Sequence, residues 1–375
     1  MLSTVIHGEG LSKRSTHYHI LDALRFVLAL WVAISHFGIF PLFAGVDVRT
    51  TWVRLLAHGW NTVVFGAPAV IVFFVISGFC IHLPFIRAQE LPIGRYYLRR
   101  YTRILIPVAG ALCVYRLFGE RLLFRGEHSV LWDSPLWSLA CEEIYYAVYP
   151  LLRLARNFFG WKWVLPVSFV VSVLIYASHP QFTEWYHFGP FGTALLLLPV
   201  WLLGCLLAEQ GEALVPRQSL ARVWSWRFLA WLGSWITNLL QYRVGIPMTV
   251  TMPWFGLLAY FWVREEISYG KHRNPNRYLA AAGAWSYSLY LMHIQGLAIP
   301  SRLGMPNLGY ILNWFLTMFS ALAFAYVFFF LIEKPSHALA RKIRVSRAPR
   351  SAVAEKPVTT SGSASVHLVH NSNDA

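Results

Sequence analysis

The chain has 375 residues, of which 57% are hydrophobic and only 13% are charged. Soluble proteins have about a quarter of their residues charged. Disordered chains contain few aromatic residues, whereas this chain contains 17 Trp, 18 Tyr and 26 Phe. The composition therefore excludes a soluble multidomain enzyme and a disordered chain. Because apolar stretches recur along almost the whole sequence, it predicts an all-α, polytopic membrane protein.

The net charge of +15 is explained by membrane topology rather than by a nucleic-acid partner. Most Lys and Arg residues lie in short segments between apolar stretches, where they favour the cytoplasmic side of a membrane. No basic stripe follows a polar helix, so we expect no binding of nucleic acid. The cysteines all lie in apolar stretches and lack the spacing of a metal site or a disulfide framework, so no metal is expected. They are Cys80, Cys113, Cys141 and Cys205.

Ten windows of about 20 mainly apolar residues predict about ten transmembrane helices. Polar residues 1–19 predict a cytoplasmic N-terminal segment, and no small-residue cleavage site marks them as a signal peptide. Residues 336–375 predict a cytoplasmic tail that is basic at first and then disordered. The membrane domain is thus predicted over residues 20–335. Its windows are approximately 20–42, 62–84, 101–118, 137–156, 161–178, 190–208, 224–240, 245–263, 283–302 and 308–332.

The distribution of basic residues supports this count. With the N-terminus in the cytoplasm, the inside segments hold about 24 Lys and Arg residues and the outside loops only about six. The bias alternates from loop to loop, which a wrong number of spans would disturb. We therefore predict that both termini lie in the cytoplasm. No internal repeat is evident, which argues against a transporter built from two related halves.

The first apolar span contains two ionisable residues, Arg25 and His36. Such residues are functional candidates because burying one costs at least about 2.5–3.5 kcal/mol. The two lie within roughly 20° of the same helical face and about 16 Å apart along the axis. Arg25 is close enough to the cytoplasmic end to reach water, whereas His36 lies deeper. His36 is either a structural imidazole between helices or a general base, since neutral imidazole accepts protons near pH 7.

Two further motifs lie towards the predicted cytoplasmic side. FFVISGF contains Ser77 and Gly78, which could simply permit close helix packing, and Ser77 is also a candidate site residue. YLRRYTRILIP places Arg99, Arg100 and Arg103 at the membrane boundary. Topology accounts for one or two of these arginines, whereas Arg100 and Arg103, at positions i and i+3, could also clamp an anion.

The fourth span begins WSLACEEIYYAVYP and contains two adjacent glutamates that project about 100° apart. Glu142 is predicted to share a face with Ser138, Tyr145 and Tyr149, while Glu143 faces elsewhere. A purely structural carboxylate would more commonly occur singly, paired with an arginine. Glu142 and Ser138 are therefore candidate site residues.

The ninth span carries WSYSLYLMHI, in which Ser286, Tyr290 and His293 share one face. Tyr290 and His293 are further candidates, although tyrosines are common at membrane interfaces. His58 and His82 lie near the ends of spans and are interpreted as structural.

Together these residues predict a membrane-buried site with a histidine base, a carboxylate, and arginines at the cytoplasmic rim. A membrane-bound enzyme could use such a site. A proton-coupled transporter of a small anion or sugar could use the same groups. Transporters, however, tend to have broken helices and repeats, which the sequence does not reveal.

The order of these motifs resembles the integral-membrane acyltransferase family 3, which includes bacterial O-antigen and exopolysaccharide O-acetyltransferases. Arg25 and His36 open the series across about residues 20–335. FFVISGF, RRYTRILIP, WSLACEEIYY, SYSLYLMH and the closing IEKP follow in the family's order. The family usually has Gln where this chain has Ile144.

The resemblance implies a protein of the bacterial inner membrane that transfers an acyl group, usually acetyl. The donor would be acyl-CoA, used as a substrate, with no bound cofactor. The acceptor would be a hydroxyl of a carbohydrate or lipid-linked glycan. Because stand-alone members acylate polysaccharides, lipid-linked sugars, Nod-factor sugars and macrolides, the acceptor stays open, and membrane lipids surround the protein in every case.

The resemblance also implies roles for individual residues. His36 would be the catalytic base with Arg25 as its motif partner, and Glu142 the essential carboxylate. Arg100 and Arg103 would bind the donor, which agrees with the affinity of guanidinium groups for phosphates. Glu142 could orient His36 as the acid of a catalytic triad does. Direct transfer and an acyl-histidine intermediate both remain open.

Overall fold

The computed structural model describes residues 18–88, 90–119, 136–211, 213–216, 219–271, 273 and 275–343. Over these residues the chain is helical and contains no strand, as the sequence predicts. The helices are α1 His19–Phe37, α2 Thr51–Thr62, α3 Ala67–His82, α4 Ile93–Leu117, α5 Trp137–Phe159, α6 Trp161–Ser178, α7 Gly189–Gly211, α8 Leu220–Leu239, α9 Met248–Gly270, α10 Arg277–Ala282, α11 Ser286–Arg302, α12 Tyr310–Phe328 and α13 Lys334–Lys342. Single π-helical turns extend α8 to Val244 and α12 to Glu333.

Each of the ten predicted spans coincides with a helix, and five helical segments in the described part of the chain are long and apolar enough to cross a membrane. The membrane crossing of the other helices remains a prediction. The first helix is shorter than the window predicted for it. Helix α1 ends at Phe37, because the next residue, Gly38, has a φ of 100°. The five segments are His19–Phe37, Thr51–Phe85, Trp161–Ser178, Gly189–Gly211 and Tyr310–Lys342.

Large apolar side chains cover the outside of the bundle, while polar groups lie inside it. Val170 of α6 and Phe319 of α12 are 56% and 69% exposed, whereas His293 and Glu333 are 0% and 1% exposed. In water this arrangement would leave extensive apolar patches in contact with solvent. The arrangement fits a protein whose surroundings are hydrocarbon, and it supports the prediction of a membrane protein.

Helix α7 lies at the centre and packs against α3, α5, α6 and α9. Its crossing with α3 is close because glycines face each other. A Cβ atom on Gly78 would lie 2.0 Å from the carbonyl oxygen of Trp201, and one on Gly204 would lie 2.0 Å from that of Val75. The packing interpretation of Gly78 is thus confirmed, since only a residue without a side chain fits there.

Helix α13 continues the ordered chain beyond the predicted end of the membrane domain at residue 335. Ser336 and Ala340 are buried, and the hydroxyl of Ser336 donates to the carbonyl of Thr102 on α4 at 2.8 Å. These contacts hold the helix against α4 as far as Lys342. Most of the predicted N-terminal segment and the predicted disordered tail lie outside the described residues.

The close α3–α7 crossing predicts that alanine at Gly78 destabilises the protein, whereas alanine at a glycine outside the crossing does not. Gly78→Ala should lower the midpoint of thermal unfolding in detergent, because over-packing costs about 1–3 kcal/mol. Gly59→Ala in α2 is the control, since no atom lies within 4 Å of its added Cβ and alanine favours a helix. Equal midpoints for the two variants would contradict close packing at Gly78.

Candidate active site

Polar side chains inside the bundle form a continuous polar column, carried by α1, α3, α4, α5, α11 and the α12–α13 junction. It begins at His36 in the last turn of α1 and ends at the arginines of α4. Hydrogen bonds, a ring contact and charge interactions link many of its members. The column consists of His36, His293, Tyr290, Ser138, Glu142, Ser77, Tyr146, Arg25, Arg100, Arg103, Glu333 and His337.

Two histidines occupy the first end of the column. The rings of His36 and His293 have centroids 5.1 Å apart and an interplanar angle of 43°. His293 is fully buried, but His36 is exposed. His36 lies in the last turn of α1, which ends at Phe37, and its depth in the membrane stays a prediction. An exposed edge leaves His36 open to a substrate.

The hydrogen bonding of His293 fixes its tautomer. Its Nδ1 lies 2.8 Å from the carbonyl oxygen of Tyr290. A carbonyl can only accept, so in the neutral ring Nδ1 carries the proton and Nε2 has a free lone pair. Nε2 is buried and has no hydrogen-bond partner. Nε2 of His293 is thus a buried hydrogen-bond acceptor, and it belongs to the ring that lies next to His36.

The next link joins α11 to α5. The hydroxyls of Ser138 and Tyr290 lie 2.6 Å apart, and the hydroxyl of Tyr115 on α4 donates to the carbonyl of Leu291 at 3.2 Å. These bonds hold α11 in the position that brings His293 to His36. Ser286, Tyr290 and His293, which the sequence places on one face, are all buried.

Glu142 lies in the middle of the column. Its carboxylate interacts with the hydroxyls of Ser77 and Tyr146 and with the charges of Arg25 and Arg100. The Ser77 hydroxyl lies 2.9 Å from that of Tyr146. It also accepts from the indole nitrogen of Trp201 at 3.3 Å, which leaves its own hydrogen available to an acceptor.

These contacts bear on two expectations about Glu142. Of the residues predicted on its face, Tyr145 donates to the carbonyl of Ala194 on α7 and Tyr149 bonds to His82, so the hydroxyls of both have partners other than Glu142. Tyr146, one turn further along α5, contacts Glu142 instead. The structure brings His293, not Glu142, against His36. Orientation of His36 by Glu142 therefore finds no contact to support it.

Glu143, which the sequence places on another face, also has a buried carboxylate. Neither of its oxygens has a hydrogen-bond partner, and the hydroxyl of Tyr287 likewise has none. The charges of Glu142, Glu143 and Glu333 all act on Tyr287. Sequence reasoning did not single out Tyr287, whose only signal is its place in SYSLYLMH.

The arginines occupy the other end of the column. Arg103 Nε donates to Nε2 of His337 at 3.2 Å, and that nitrogen lies 3.5 Å from the carboxylate of Glu333. The guanidinium of Arg100 lies 6.0 Å from the ring centroid of Tyr146, whereas Arg99 is exposed. Arg103 is thus held by α13, and Arg100 faces the carboxylate cluster.

Arg25 connects the two carboxylates in the interior. Its charge acts on Glu142 and on Glu333, so it belongs to this end of the column and not to the histidine pair. The backbone and side chain of Ser288 both donate to Glu333, the backbone at 3.0 Å. Sequence reasoning did not assign Glu333 to the site, although an acidic residue that closes an apolar run was a usable signal.

A polar network around His82 lies outside the column. His82 bonds to Tyr149 at 3.0 Å and to Glu209 at 2.9 Å, and Glu209 also pairs with Arg156. The network joins α3, α5 and α7, as a structural role for His82 requires. Among the described residues, no group of three or more His, Cys, Asp or Glu side chains could hold a metal ion.

Comparison with known proteins identifies the family of the chain. The chain is 24% identical to Acyltransferase MdmB of Streptomyces mycarofaciens, over 91% of this chain and 97% of that protein. No solved structure matches it. The profile of the acyltransferase 3 family, described as an acyltransferase domain, matches residues 18–330. That range includes nearly the whole polar column, and the chain belongs to the acyltransferase 3 family.

Proposed function

We propose that this protein transfers an acyl group, acetyl in the first instance, from acyl-CoA to a hydroxyl of a carbohydrate or lipid-linked glycan. It would do so in the bacterial inner membrane with both termini in the cytoplasm. The observation that carries the proposal is the histidine pair. The exposed imidazole of His36 lies 5.1 Å, between ring centroids, from that of His293, whose buried Nε2 has no hydrogen-bond partner. In the proposed reaction this pair would offer a hydroxyl substrate a base and a neighbour that can orient that base.

In the proposed reaction the acceptor hydroxyl lies against the exposed edge of His36. The imidazole removes the hydroxyl proton while the oxygen attacks the carbonyl carbon of the thioester. A C–O bond forms and the C–S bond breaks. The leaving thiolate takes the proton back from the imidazolium, which gives an ester and free CoA. An acyl-histidine intermediate would use the same residue in two steps.

His293 would act as a positioning residue. Its Nε2 can accept a hydrogen bond from the N–H of His36, which would leave the other nitrogen of His36 unprotonated and directed at the substrate. Because Nδ1 of His293 is bonded to the Tyr290 carbonyl, its ring has one defined orientation. This role replaces the one that the sequence suggested for Glu142.

The other end of the column would bind the donor. Arg100 and Arg103 carry planar guanidinium groups that suit phosphates, and they lie at the end predicted to face the cytoplasm, where acyl-CoA is found. Arg25 and His36 are about 16 Å apart along α1. The long pantetheine arm of CoA would extend through the column from the arginines to His36.

The proposed activity is tested with purified protein in proteoliposomes and acetyl-CoA radiolabelled in its acetyl group. Glycan and lipid-linked sugar fractions from the source cell serve as acceptors. We expect base-labile label in a glycan fraction only when protein is present. Flux of a sugar or anion without any ester would instead identify a transporter.

His36→Ala should lower ester formation at least about a hundredfold, the usual contribution of a general base. The fold should be retained because His36 is exposed in the last turn of α1. Product per unit of membrane-inserted protein is the measurement, with His58→Ala of α2 as the matched control. A His36→Ala enzyme with more than about a tenth of wild-type product, together with an inactive His293→Ala, would make His293 the base.

Arg100→Ala should raise the acyl-CoA concentration needed for half-maximal rate more than the acceptor concentration, because a lost phosphate contact weakens donor binding. Arg100→Lys should also be impaired, since an ammonium group lacks the planar fork. Arg99→Ala, at an exposed neighbour, is the control. If the acyl-CoA concentration for half-maximal rate were unchanged in both Arg100 variants and in Arg103→Ala, these arginines would serve only to orient the protein in the membrane.

Glu142→Gln should lower specific activity at least about tenfold, which corresponds to 1.36 kcal/mol, because its charge holds Arg25 and Arg100 in place. Glu143→Gln should be milder. Its carboxylate has no hydrogen-bond partner, so removing the charge relieves an unpaired group. Product per unit of inserted protein decides between them. Equal losses would overturn the assignment of Glu142 as the essential carboxylate, and a worse Glu143 variant would move that role to Glu143.

A further inference from the structure

A cavity outside the polar column lies between the segment that follows α7 and the last turns of α9. Its volume is about 130 Å³, and its walls are Ala213, Leu214, Val215, Arg264, Glu265 and Ser268. This volume exceeds what a single water molecule needs. Three of the six residues are apolar, and one carries a positive charge.

The carboxylates next to Arg264 in sequence are already paired with other arginines. Glu265 accepts from Arg222 of α8 at 3.0 and 3.2 Å. Glu266 accepts from Arg227 at 2.7 and 3.0 Å. Both are bidentate pairs, which are the strong form of the interaction. They link α8 to α9 and leave Arg264 without a carboxylate from its own sequence neighbours.

The backbone beside the cavity is engaged as well. Ser268 donates to the carbonyl of Val215 at 2.5 Å, and Lys271 donates to that of Leu214 at 2.5 Å. These bonds fix the segment that forms the cavity wall. The Nε atom of Arg264 is buried and has no hydrogen-bond partner. A guanidinium group without acceptors is costly, and a ligand in the cavity that Arg264 lines could accept hydrogen bonds from its terminal nitrogens.

The position and charge of the cavity indicate what that acceptor is. It lies beside segments whose Lys and Arg content predicts the cytoplasmic face. Arg222 already neutralises Glu265, which leaves the charge of Arg264 to be balanced. A guanidinium group presents a fork of donors that matches phosphate oxygens. We propose that this cavity binds a phosphate group through Arg264, from the headgroup of an anionic lipid or from free phosphate.

The test measures thermal unfolding of the detergent-solubilised full-length protein with three additives. They are phosphatidylglycerol, phosphatidylcholine as the zwitterionic control, and inorganic phosphate at constant ionic strength. A ligand that binds only the folded state raises the midpoint. We expect phosphatidylglycerol or inorganic phosphate to raise it by a few degrees. A rise with lipid alone identifies a headgroup, and a rise with inorganic phosphate identifies free phosphate.

The variant Arg264→Gln should lose this rise, and Arg264→Lys should retain part of it, because an ammonium keeps the charge without the fork. Arg273→Gln is the matched control, since it removes an equal charge from an exposed residue near the same end of α9 and should keep the full rise. If Arg264→Gln does not fold, the comparison between Arg264→Lys and Arg273→Gln decides. No rise in the wild type, or an equal rise in the Arg264 variants, would overturn the proposal.

Discussion

The charge balance inside the bundle is the constraint on which the site depends. Arg25 acts on both Glu142 and Glu333, which lie on separate helices. A carboxylate in an apolar interior is tolerated only when cations and hydrogen-bond donors surround it. Arg25 therefore supplies positive charge to carboxylates on α5 and on the α12–α13 junction. Ser77 and Ser288 add hydroxyl donors to the two carboxylates.

The remainder of the fold makes this arrangement rigid. The glycines at the α3–α7 crossing let two backbones approach, and this approach sets the position of Ser77 and of Trp201, which donates to it. The π-helical turn at Phe329–Glu333 turns Glu333 into the interior. Helix packing and the interior charges thus support each other, because each carboxylate is held by groups from helices that pack closely.

In the proposed reaction, the two ends of the polar column have different roles. Arginines lie at one end and the histidine pair at the other, with carboxylates and hydroxyls between them. The two ends are joined through α1, which carries both Arg25 and His36. A donor that enters at the arginines and an acceptor that enters at His36 would approach from opposite directions. This geometry explains how one short motif on α1 could serve both substrates.

The sequence by itself determined the all-helical class, the approximate positions of the ten long apolar helices and the residues of most of the column, but not the shorter helices α2, α10 and α13. It could do so because hydrophobic spans and costly buried charges are visible in composition alone. Only the tertiary structure decided the partners. It brought His293 to His36, and Tyr146 to Glu142. It added Glu333 and His337 from a distant part of the chain, and it shows no carboxylate paired with Arg264 among the described residues. Partners of this kind lie on different helices, and contacts between distant segments depend on packing, which local sequence patterns do not encode.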